Sequence, residues 1–421
     1  MKRTNNRNEK VKKIQHIAVV GGAGHVGLPL SLVLVKAGFK VTIIDIDRKK
    51  MDSIKKGEFP FLEEGGEKLL KETISKGLFF SDTHKDIQKC DVIILTVGTP
   101  VDKHLNPILD SVFDAIRQIK PFLRDEQVIV LRSTLFPGTS KMIHDMLLSE
   151  GLRTGVSFCP ERIAQGVAIR EIQEFPQIIS GVDARSLSAA KFIFSKVAKG
   201  VVELDMTEAE LAKLFTNAWR YIRFAVANQF YMMVEEKGMD FYKIRDAMMA
   251  DYPRALDFPA AGFAAGPCLF KDTMQLAAFN RQNFPLGNSA MLVNETLPDF
   301  LVEQAKRQLS LKGKRVGILG MAFKANNDDT RESLAFKLRR LLVHEKALLM
   351  CTDPHVKDPL FYSLKNVLKD CDILFIGCPH AEYKDIDFRG KIVFDCWGIV
   401  HKQKLQTTNK IKIKSYAGKK K

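Results

Sequence analysis

The chain has 421 residues, 46% hydrophobic and 27% charged, which is enough for two or three domains with sizeable cores. Its formal charge of +16 suggests a polyanionic partner such as nucleic acid. Most of that charge lies at the ends, because residues 1–13 carry +5 and residues 402–421 carry +8. Only +3 remains for the body, so we expect no nucleic-acid partner.

The chain also lacks the features of membrane or disulfide-rich proteins. No apolar run approaches the roughly 18 residues that span a bilayer, which predicts no membrane insertion and a cytoplasmic location. Seven scattered cysteines, an odd number without zinc-type spacing, predict reduced thiols and no metal site.

Two parts of the chain share one layout of apolar runs. The runs of the first part lie at 17–24, 41–47, 91–100 and 128–134, and those of the second part at 315–320, 347–354, 372–380 and 393–399. Continuous apolar runs separated by helical patterns are typical of strands buried on both faces of a parallel sheet. The sequence therefore predicts an α/β protein with two doubly wound Rossmann-like domains.

A helical middle region separates these two parts. Residues 207–237 contain neither Gly nor Pro and show apolar residues at helical spacing, which predicts one helix of about 45 Å. The predicted domains are 14–205, 206–310 with this central helix, and 311–405. The basic tails, 1–13 and 406–421, have no apolar periodicity and are expected to be disordered.

A glycine pattern after the first strand predicts a dinucleotide site. Gly22, Gly24 and Gly27 form GxGxxG between a strand and a helix, where a helix N-terminus binds pyrophosphate. Asp45 ends the next strand, where an acid accepts from a ribose 2′-hydroxyl and repels a 2′-phosphate, so NAD is favoured. The alternative is a plain turn with an exposed acid. The second part lacks a third glycine after Gly320, so a second dinucleotide is not expected.

Cys268 stands apart from the other cysteines. It lies among small residues in PAAGFAAGPCLFKD, and Lys271 and Asp272 follow it. A nearby ammonium favours the thiolate, which is the nucleophilic form. The alternative is a structural cysteine.

Further polar residues are candidates for a reacting centre. Lys213 and Asn217, four residues apart on one helix face, could stabilise an oxyanion; the alternative is two solvated side chains. Thr99, Ser133 and Thr134 follow predicted strands at the ligand-facing edge, and Glu161 lies in CPER. For the hydroxyl residues, the alternative is capping of the next helix.

Taken in order, these strings resemble the nucleotide-sugar dehydrogenase family, the UDP-glucose and GDP-mannose dehydrogenase group. The resemblance covers about residues 14–400 and rests on GGAGHVGLPL, VGTP, RSTLFPGT, CPER, AELAKLFTNA, GPCLFKD and GMAFKANNDDTRES. It implies NAD-dependent oxidation of a sugar alcohol to a uronic acid, in a cytoplasmic enzyme of polysaccharide biosynthesis. It also implies a homodimer formed through the central helix.

The resemblance also assigns roles to residues. Those implied for catalysis are Cys268, Lys213, Asn217, Asp272, Thr134 and Glu161. Those implied for NAD are Gly22, Gly24, His25, Val26, Gly27, Asp45, Thr99 and Thr134. Those implied for the UDP-sugar are Glu161, Arg162, Lys213, Asn217, Phe263, Gly266, Lys324, Arg331 and, reaching across from a neighbouring subunit, Arg254.

Several positions depart from the usual family pattern. His25 stands where the family usually has Tyr, Ala265 replaces a glycine, and Pro267 and Phe270 flank the thiol. The strings around CPERIAQG and YPRALD are closer to the branch that acts on UDP-N-acetylhexosamines, particularly UDP-N-acetylmannosamine. UDP-glucose, UDP-N-acetylglucosamine and a simple two-electron dehydrogenase remain alternatives.

Overall fold

The computed structural model describes residues 14–99, 108 and 110–400. The two basic tails, for which disorder is predicted, lie outside the described residues. The chain divides into two compact units, Met1–Phe215 and Thr216–Lys421. Within the described part, no helix combines the length and the apolar character needed to cross a membrane.

The first unit is built on a parallel sheet with helices between its strands. Its strands are β1 (His16–Val20), β2 (Lys40–Ile44), β3 (Leu78–Ser81), β4 (Val92–Leu95), β5 (Val128–Leu131), β6 (Gly155–Phe158), β7 (Gln177–Ile179) and β8 (Val201–Glu203). Its helices are α1 (Gly27–Lys36), α2 (Arg48–Lys55), α3 (Gly66–Thr73), α4 (Asp110–Ile119), α5 (Thr139–Ser149), α6 (Ala168–Glu174) and α7 (Ala184–Phe194), with short 3₁₀ helices at His84–Lys89 and Lys120–Phe122.

The main sheet of this unit has the order β3-β2-β1-β4-β5-β6, and β7 pairs with β8. All pairs are parallel. In β1, Ile17 and Val19 belong to one apolar cluster while Ala18 and Val20 belong to another. Alternate side chains thus fill cores on both faces, which explains why the sequence shows a continuous apolar run instead of an alternating one.

The second unit repeats the plan on a smaller scale. It contains α9 (Phe241–Met249), α10 (Leu269–Phe279), α11 (Pro285–Gln308), β9 (Arg315–Leu319), α12 (Leu334–His344), β10 (Leu348–Thr352), α13 (Leu364–Asp370), β11 (Ile373–Ile376), a 3₁₀ helix at Ala381–Asp385 and β12 (Ile392–Phe394). The parallel order is β10-β9-β11-β12. Ile373 and Phe375 face one core, and Leu374 and Ile376 face the other. The predicted fold class, with its two parallel sheets, is confirmed.

The predicted central helix is confirmed as α8 (Met206–Glu235), 30 residues long. Some residues of the apolar pattern in α8 are exposed, and one of its polar residues is buried. Phe215, Val226 and Met233 are 54%, 40% and 57% exposed, although they belong to the apolar pattern that predicted the helix. The polar residue Glu210, near its start, is instead only 1% exposed.

Glu210 is buried because it completes the hydrogen bonding of another helix. Its carboxylate accepts from the backbone N–H groups of Gly138 and Ser140 and from the Ser140 hydroxyl. These groups lie at the start of α5, whose first amides have no partner within the helix. The contact ties the beginning of α8 to the cofactor-binding half of the chain.

Candidate active site

The glycine loop fits closely between β1 and α1. A Cβ at Gly27 would lie 2.4 Å from the Gly21 carbonyl oxygen and 2.6 Å from the Gly22 Cα, and a Cβ at Gly22 would lie 2.8 Å from Ile43. At Gly24, in contrast, a Cβ would meet only the Gly21 oxygen at 3.4 Å. Gly22 and Gly27 are therefore needed for packing, whereas Gly24 leaves the surface of the loop open for a pyrophosphate.

Asp45 lies directly after β2 and is held against this loop. One carboxylate oxygen accepts from the Ala23 N–H at 2.9 Å, and the other from the Asp47 N–H at 2.9 Å. Thr96, which sequence reasoning missed, donates its hydroxyl proton to the carbonyl groups of Val20 and Gly21. The glycines, Asp45 and the uncapped start of α1 together fit a dinucleotide.

Three further positions belong to the same edge of the first sheet. His25 packs on the Phe61 ring with centroids 4.0 Å apart. Thr99 follows β4 and is half-buried. Val26 occupies the N-cap position of α1.

The residues after β5 and β6 form a buried polar cluster. Ser133 donates its hydroxyl proton to the Val97 carbonyl, and Thr134 is 9% exposed. The N-cap of α5 is Gly138, so the alternative that these hydroxyls cap the following helix is wrong. Glu161 is also 9% exposed.

Glu161 is held by an arginine that sequence reasoning missed. One carboxylate oxygen accepts from the Arg132 guanidinium, and the other from the N–H groups of Arg162 and Ile163 at 2.8 and 3.0 Å. Arg132 is 1% exposed and also donates to the Cys159 carbonyl and to Gln177. The only signal in the sequence is a charged residue directly after an apolar strand. Glu161 is thus an ionic acceptor with a fixed orientation.

The pair on α8 is buried instead of solvated. Lys213 is 8% exposed and Asn217 is 4% exposed, so the alternative of two solvated side chains is wrong. Asn217 donates from Nδ2 to Asp272 Oδ2 at 2.5 Å, and both groups are buried. The other oxygen of Asp272 lies 3.2 Å from Lys271 Nζ. The structure therefore joins Asp272 to Asn217 by a hydrogen bond and to Lys271 by an ion pair.

Cys268 occupies the N-cap position of α10, and its carbonyl accepts from the Asp272 N–H at 2.9 Å. The thiol therefore lies beside the first amides of α10, at the positive end of the helix dipole. All seven cysteines are described, and Cys268 alone is exposed. Burial raises the pKa of Cys90 and Cys159 to about 12 and that of Cys351 to about 11.

The other three thiols are held protonated in the same way. Burial raises the pKa of Cys371, Cys378 and Cys396 above the usual value. Cys268 is therefore the one sulfur that combines access to solvent with a helix N-terminus.

The loop before Cys268 contacts the second parallel domain. A Cβ at Gly266, where φ is +96°, would lie 2.5 Å from the Phe323 ring, and the Gly266 N–H donates to the Glu332 carbonyl at 3.1 Å. Phe263, 3% exposed, has its ring centroid 6.0 Å from that of Trp397. These contacts fix the loop against the segment that carries Lys324 and Arg331.

Lys324 and Arg331 lie in that segment. The Arg331 guanidinium forms a fork with Asp329, with N···O distances of 2.6 and 3.0 Å, and this bond raises its pKa. Lys324 is half-buried. Asp353, at the end of β10, accepts from the N–H groups of Met321 and Ala322 and so holds the start of the segment.

The residues Arg162 and Arg254 differ in exposure. Arg162 donates to the Pro176 carbonyl, and burial lowers its pKa. Arg254, in the turn after α9, is exposed. Its proposed target lies in another subunit.

His355, His380 and Glu382 place ligand-type atoms within 4.8 Å of one another. His380 Nδ1, however, accepts from the Asn326 N–H at 3.0 Å, so the ring proton is on Nε2, which lies 3.0 Å from Asp353 Oδ2. Neither ring nitrogen keeps a free lone pair for a cation. This cluster therefore has a structural role in holding the segment 321–326.

Comparisons with known proteins agree over most of the chain. Residues 15–198 match the NAD binding domain of the UDP-glucose/GDP-mannose dehydrogenase family, residues 207–296 its central domain, and residues 317–402 its UDP binding domain. A UDP-N-acetyl-D-mannosamine dehydrogenase of Methanocaldococcus jannaschii is 31% identical over 405 residues, which cover 92% of this chain and 93% of the relative.

Two solved structures have folds similar to that of this chain. A UDP-D-ManNAc dehydrogenase from Pyrococcus horikoshii matches with a TM-score of 0.82 and 27% identity, over 89% of this chain and 91% of that one. A UDP-glucose dehydrogenase from Pyrobaculum islandicum matches with a TM-score of 0.84 and 25% identity, over 90% of this chain and 93% of that one. These neighbours differ in the sugar that their names specify.

The packing at Gly27 makes NAD binding sensitive to a single methyl group. We expect Gly27→Ala to push α1 away from the loop and to weaken NAD binding at least about tenfold, because the amides that face the pyrophosphate move. Titration of NADH fluorescence measures the dissociation constant. Gly200→Ala is the control, since a Cβ at Gly200 meets nothing within 4 Å. Unchanged affinity in Gly27→Ala would contradict this assignment.

Proposed function

Because the chain belongs to the UDP-glucose/GDP-mannose dehydrogenase family, we propose that this NAD-dependent UDP-sugar dehydrogenase oxidises the C6 hydroxyl of its substrate to a carboxylate in two two-electron steps. The observation that carries the proposal is the exposed thiol of Cys268 at the N-cap of α10, one helical turn from the buried Asp272. A dehydrogenase that stops at the aldehyde has no use for such a thiol.

We propose UDP-N-acetyl-D-mannosamine as the substrate. Support comes from relatives of that name that cover more than nine-tenths of this chain. The likeness to a UDP-glucose dehydrogenase keeps UDP-glucose as the second candidate.

In the first oxidation, the C6 hydroxyl loses its proton through a water held by Asp272 and Lys213, and the Asp272 carboxylate is the base that passes this proton to solvent. Asp272 suits this role because its carboxylate is buried and oriented by Asn217 and Lys271. Bound NAD supplies the hydride acceptor for both oxidations, held by the glycine loop, Asp45, Thr99 and Thr134. The product of this step is an aldehyde at C6.

In the second oxidation, the Cys268 thiolate adds to the aldehyde carbon and forms a C–S bond. Lys213 and Asn217 stabilise the oxygen of the resulting thiohemiacetal. Loss of the second hydride gives a thioester. The covalent bond keeps the aldehyde from escaping while the reduced cofactor is exchanged.

Hydrolysis of the thioester completes the reaction. Water attacks the acyl carbon, the C–S bond breaks, and the thiolate returns to Cys268. Asp272 receives the proton of the attacking water, with Thr134 and Glu161 orienting that water. Glu161 already accepts three hydrogen bonds, so it orients through a remaining lone pair.

The remaining site residues bind the UDP-sugar in this proposal. In this proposal Lys324 and Arg331 hold the diphosphate, and Phe263 and Gly266 form the wall beside the sugar nucleotide. Arg162 and Arg254 contribute further positive charge, Arg254 from a neighbouring subunit. The product would enter polysaccharide biosynthesis in the cytoplasm.

The exposed side of α8 supports a homodimer. Trp219, Val226, Phe230 and Met233 are 58%, 40%, 42% and 57% exposed, and they recur every three, four or seven residues along one helix. Large apolar side chains in such a stripe favour burial against a second copy. A second copy would also bring its own Arg254.

Counting NADH tests the role of the thiol. We expect two NADH per sugar consumed, and we expect Cys268→Ser to lower uronate formation at least about 100-fold because the covalent intermediate cannot form. Absorbance at 340 nm and mass spectrometry of the sugar measure both quantities. Cys351→Ser, in β10, is the control and should keep both values. One NADH per sugar, with normal turnover of Cys268→Ser, favours the two-electron alternative.

A panel of sugar nucleotides tests the substrate. We expect kcat/KM for UDP-N-acetyl-D-mannosamine to exceed that for UDP-glucose, UDP-N-acetylglucosamine and GDP-mannose by at least about tenfold. The wrong sugar leaves polar groups of the pocket without hydrogen-bond partners in the transition state, which lowers kcat/KM. Initial rates of NAD reduction measure this ratio. A higher value for UDP-glucose would make that sugar the substrate.

A charge placed on the exposed side of α8 tests the dimer. We expect Trp219→Glu to shift the protein from dimer to monomer at micromolar concentration, because a carboxylate is costly in an apolar interface. Sedimentation velocity measures the mass. Phe175→Glu, at an aromatic that is 44% exposed after α6, is the control. Equal masses for wild type and Trp219→Glu would rule out this interface.

A further inference from the structure

A buried amide holds the loop that leads to Cys268. Asn228 of α8 is 0% exposed. Its Oδ1 accepts from the Gly262 N–H at 2.8 Å, and its Nδ2 donates to the Gly262 carbonyl at 2.9 Å. One side chain thus satisfies both main-chain groups of one loop residue, six positions before the thiol.

A second buried amide fixes the orientation of the first. Asn228 Nδ2 also donates to Asn294 Oδ1 at 2.9 Å, and Asn294 Nδ2 donates to the Tyr221 carbonyl at 3.0 Å. Asn294 belongs to α11 and is 0% exposed. Reversing the Asn228 amide would set its NH₂ against the Gly262 N–H, so only one orientation is compatible with these partners.

Gly262 has no side chain with which to hold itself in place. A Cβ at this position would lie 2.2 Å from the Trp397 ring. That ring is fixed in turn, because its Nε1 donates to the Ile376 carbonyl at 3.0 Å. The loop backbone is therefore confined between an aromatic ring and the Asn228 amide.

The loop between this point and the thiol is short and is fixed again near its end. Gly266 is bound to the Glu332 carbonyl and packs on Phe323, two residues before Cys268. Gly262 and Gly266 are thus two points at which this short loop is held, so that loss of the first leaves a single anchor before the N-cap of α10.

We infer that Asn228 is a positioning residue for Cys268, which keeps the thiol at the N-cap of α10 through its two hydrogen bonds to Gly262. The inference rests on the proposed reaction, in which that sulfur attacks the aldehyde. A misplacement of about 1 Å at a reacting atom costs on the order of 100-fold in rate.

Asn228→Asp tests the inference with almost no change in volume. The new oxygen faces the Gly262 carbonyl and Asn294 Oδ1, two acceptors, where Nδ2 had donated to both. We expect kcat to fall about 10- to 100-fold while the KM for NAD changes less than about twofold. We also expect the rate of Cys268 alkylation by iodoacetamide, followed by peptide mass spectrometry on the full chain, to fall at least about threefold.

Gln127→Glu is a matched control in the first unit. Gln127 is 0% exposed, accepts from the Arg124 N–H, and donates to the carbonyl groups of Ile87 and Cys90, as Asn228 accepts from one N–H and donates to two oxygens. It precedes β5, at the amino end of the strand. We expect Gln127→Glu to lower the melting temperature but to leave the alkylation rate of Cys268 unchanged.

The outcomes separate the two claims. Alkylation slowed less than threefold in folded Asn228→Asp, or slowed equally in Gln127→Glu, overturns the positioning role. If Asn228→Asp does not fold, Asn294→Ser, which keeps both bonds to Gly262 and removes only their brace, must slow alkylation by a smaller but measurable factor; no slowing overturns the inference. Alkylation of Cys268 needs no substrate. If the wild-type chain were inactive on every UDP-sugar, the proposed function would be wrong, but the alkylation rates would still test the role of Asn228.

Discussion

The structure depends on one helix whose buried side carries several polar side chains among its apolar ones. Along α8, Glu210, Lys213, Asn217 and Asn228 recur at spacings that place them on one face, and all are at most 8% exposed. Burial of such groups is costly unless each meets a partner. Glu210 binds the start of α5, Asn217 binds Asp272, and Asn228 binds the loop before the thiol. A change of helical register would leave all of these groups without their partners.

The opposite side of the same helix exposes several large apolar side chains. A pattern of apolar residues at helical spacing predicts the helix correctly, because the spacing gives the helical period. The spacing does not show which face of the helix is buried. It cannot tell that Trp219 and Met233 face solvent in the single chain while Asn217 is inside. Only the tertiary partners of the polar residues decide which face turns inward.

Eight strands of the two main sheets were predictable because their apolar residues form continuous runs. Each apolar run named from the sequence overlaps one of these strands, since residues that pack on both faces of a sheet leave few polar positions. The strands β3 and β6 were missed for physical reasons. In β3, Phe79 is 47% exposed at the sheet edge, and β6 contains Gly155 and Ser157, which weaken a pattern only four residues long. The order of the strands is not contained in the local pattern at all.

For the candidate site, the sequence identified groups with recognisable chemistry and missed those that orient them. Cys268, Asp272 and the glycine loop stand out by residue type and neighbours, whereas Arg132 and Asn228 acquire meaning only through partners 29 and 34 positions away. Positioning residues of this kind are defined by contacts between distant segments. A short stretch of sequence therefore does not reveal them.

The distribution of thiols determines how the chain responds to oxidants. Six thiols are buried, and burial raises their pKa, so peroxide meets a single exposed thiol, which would be the first to form a sulfenic acid. Such damage leaves the two cores untouched. In the proposed reaction, oxidation of this one thiol would therefore end turnover while the fold remains intact.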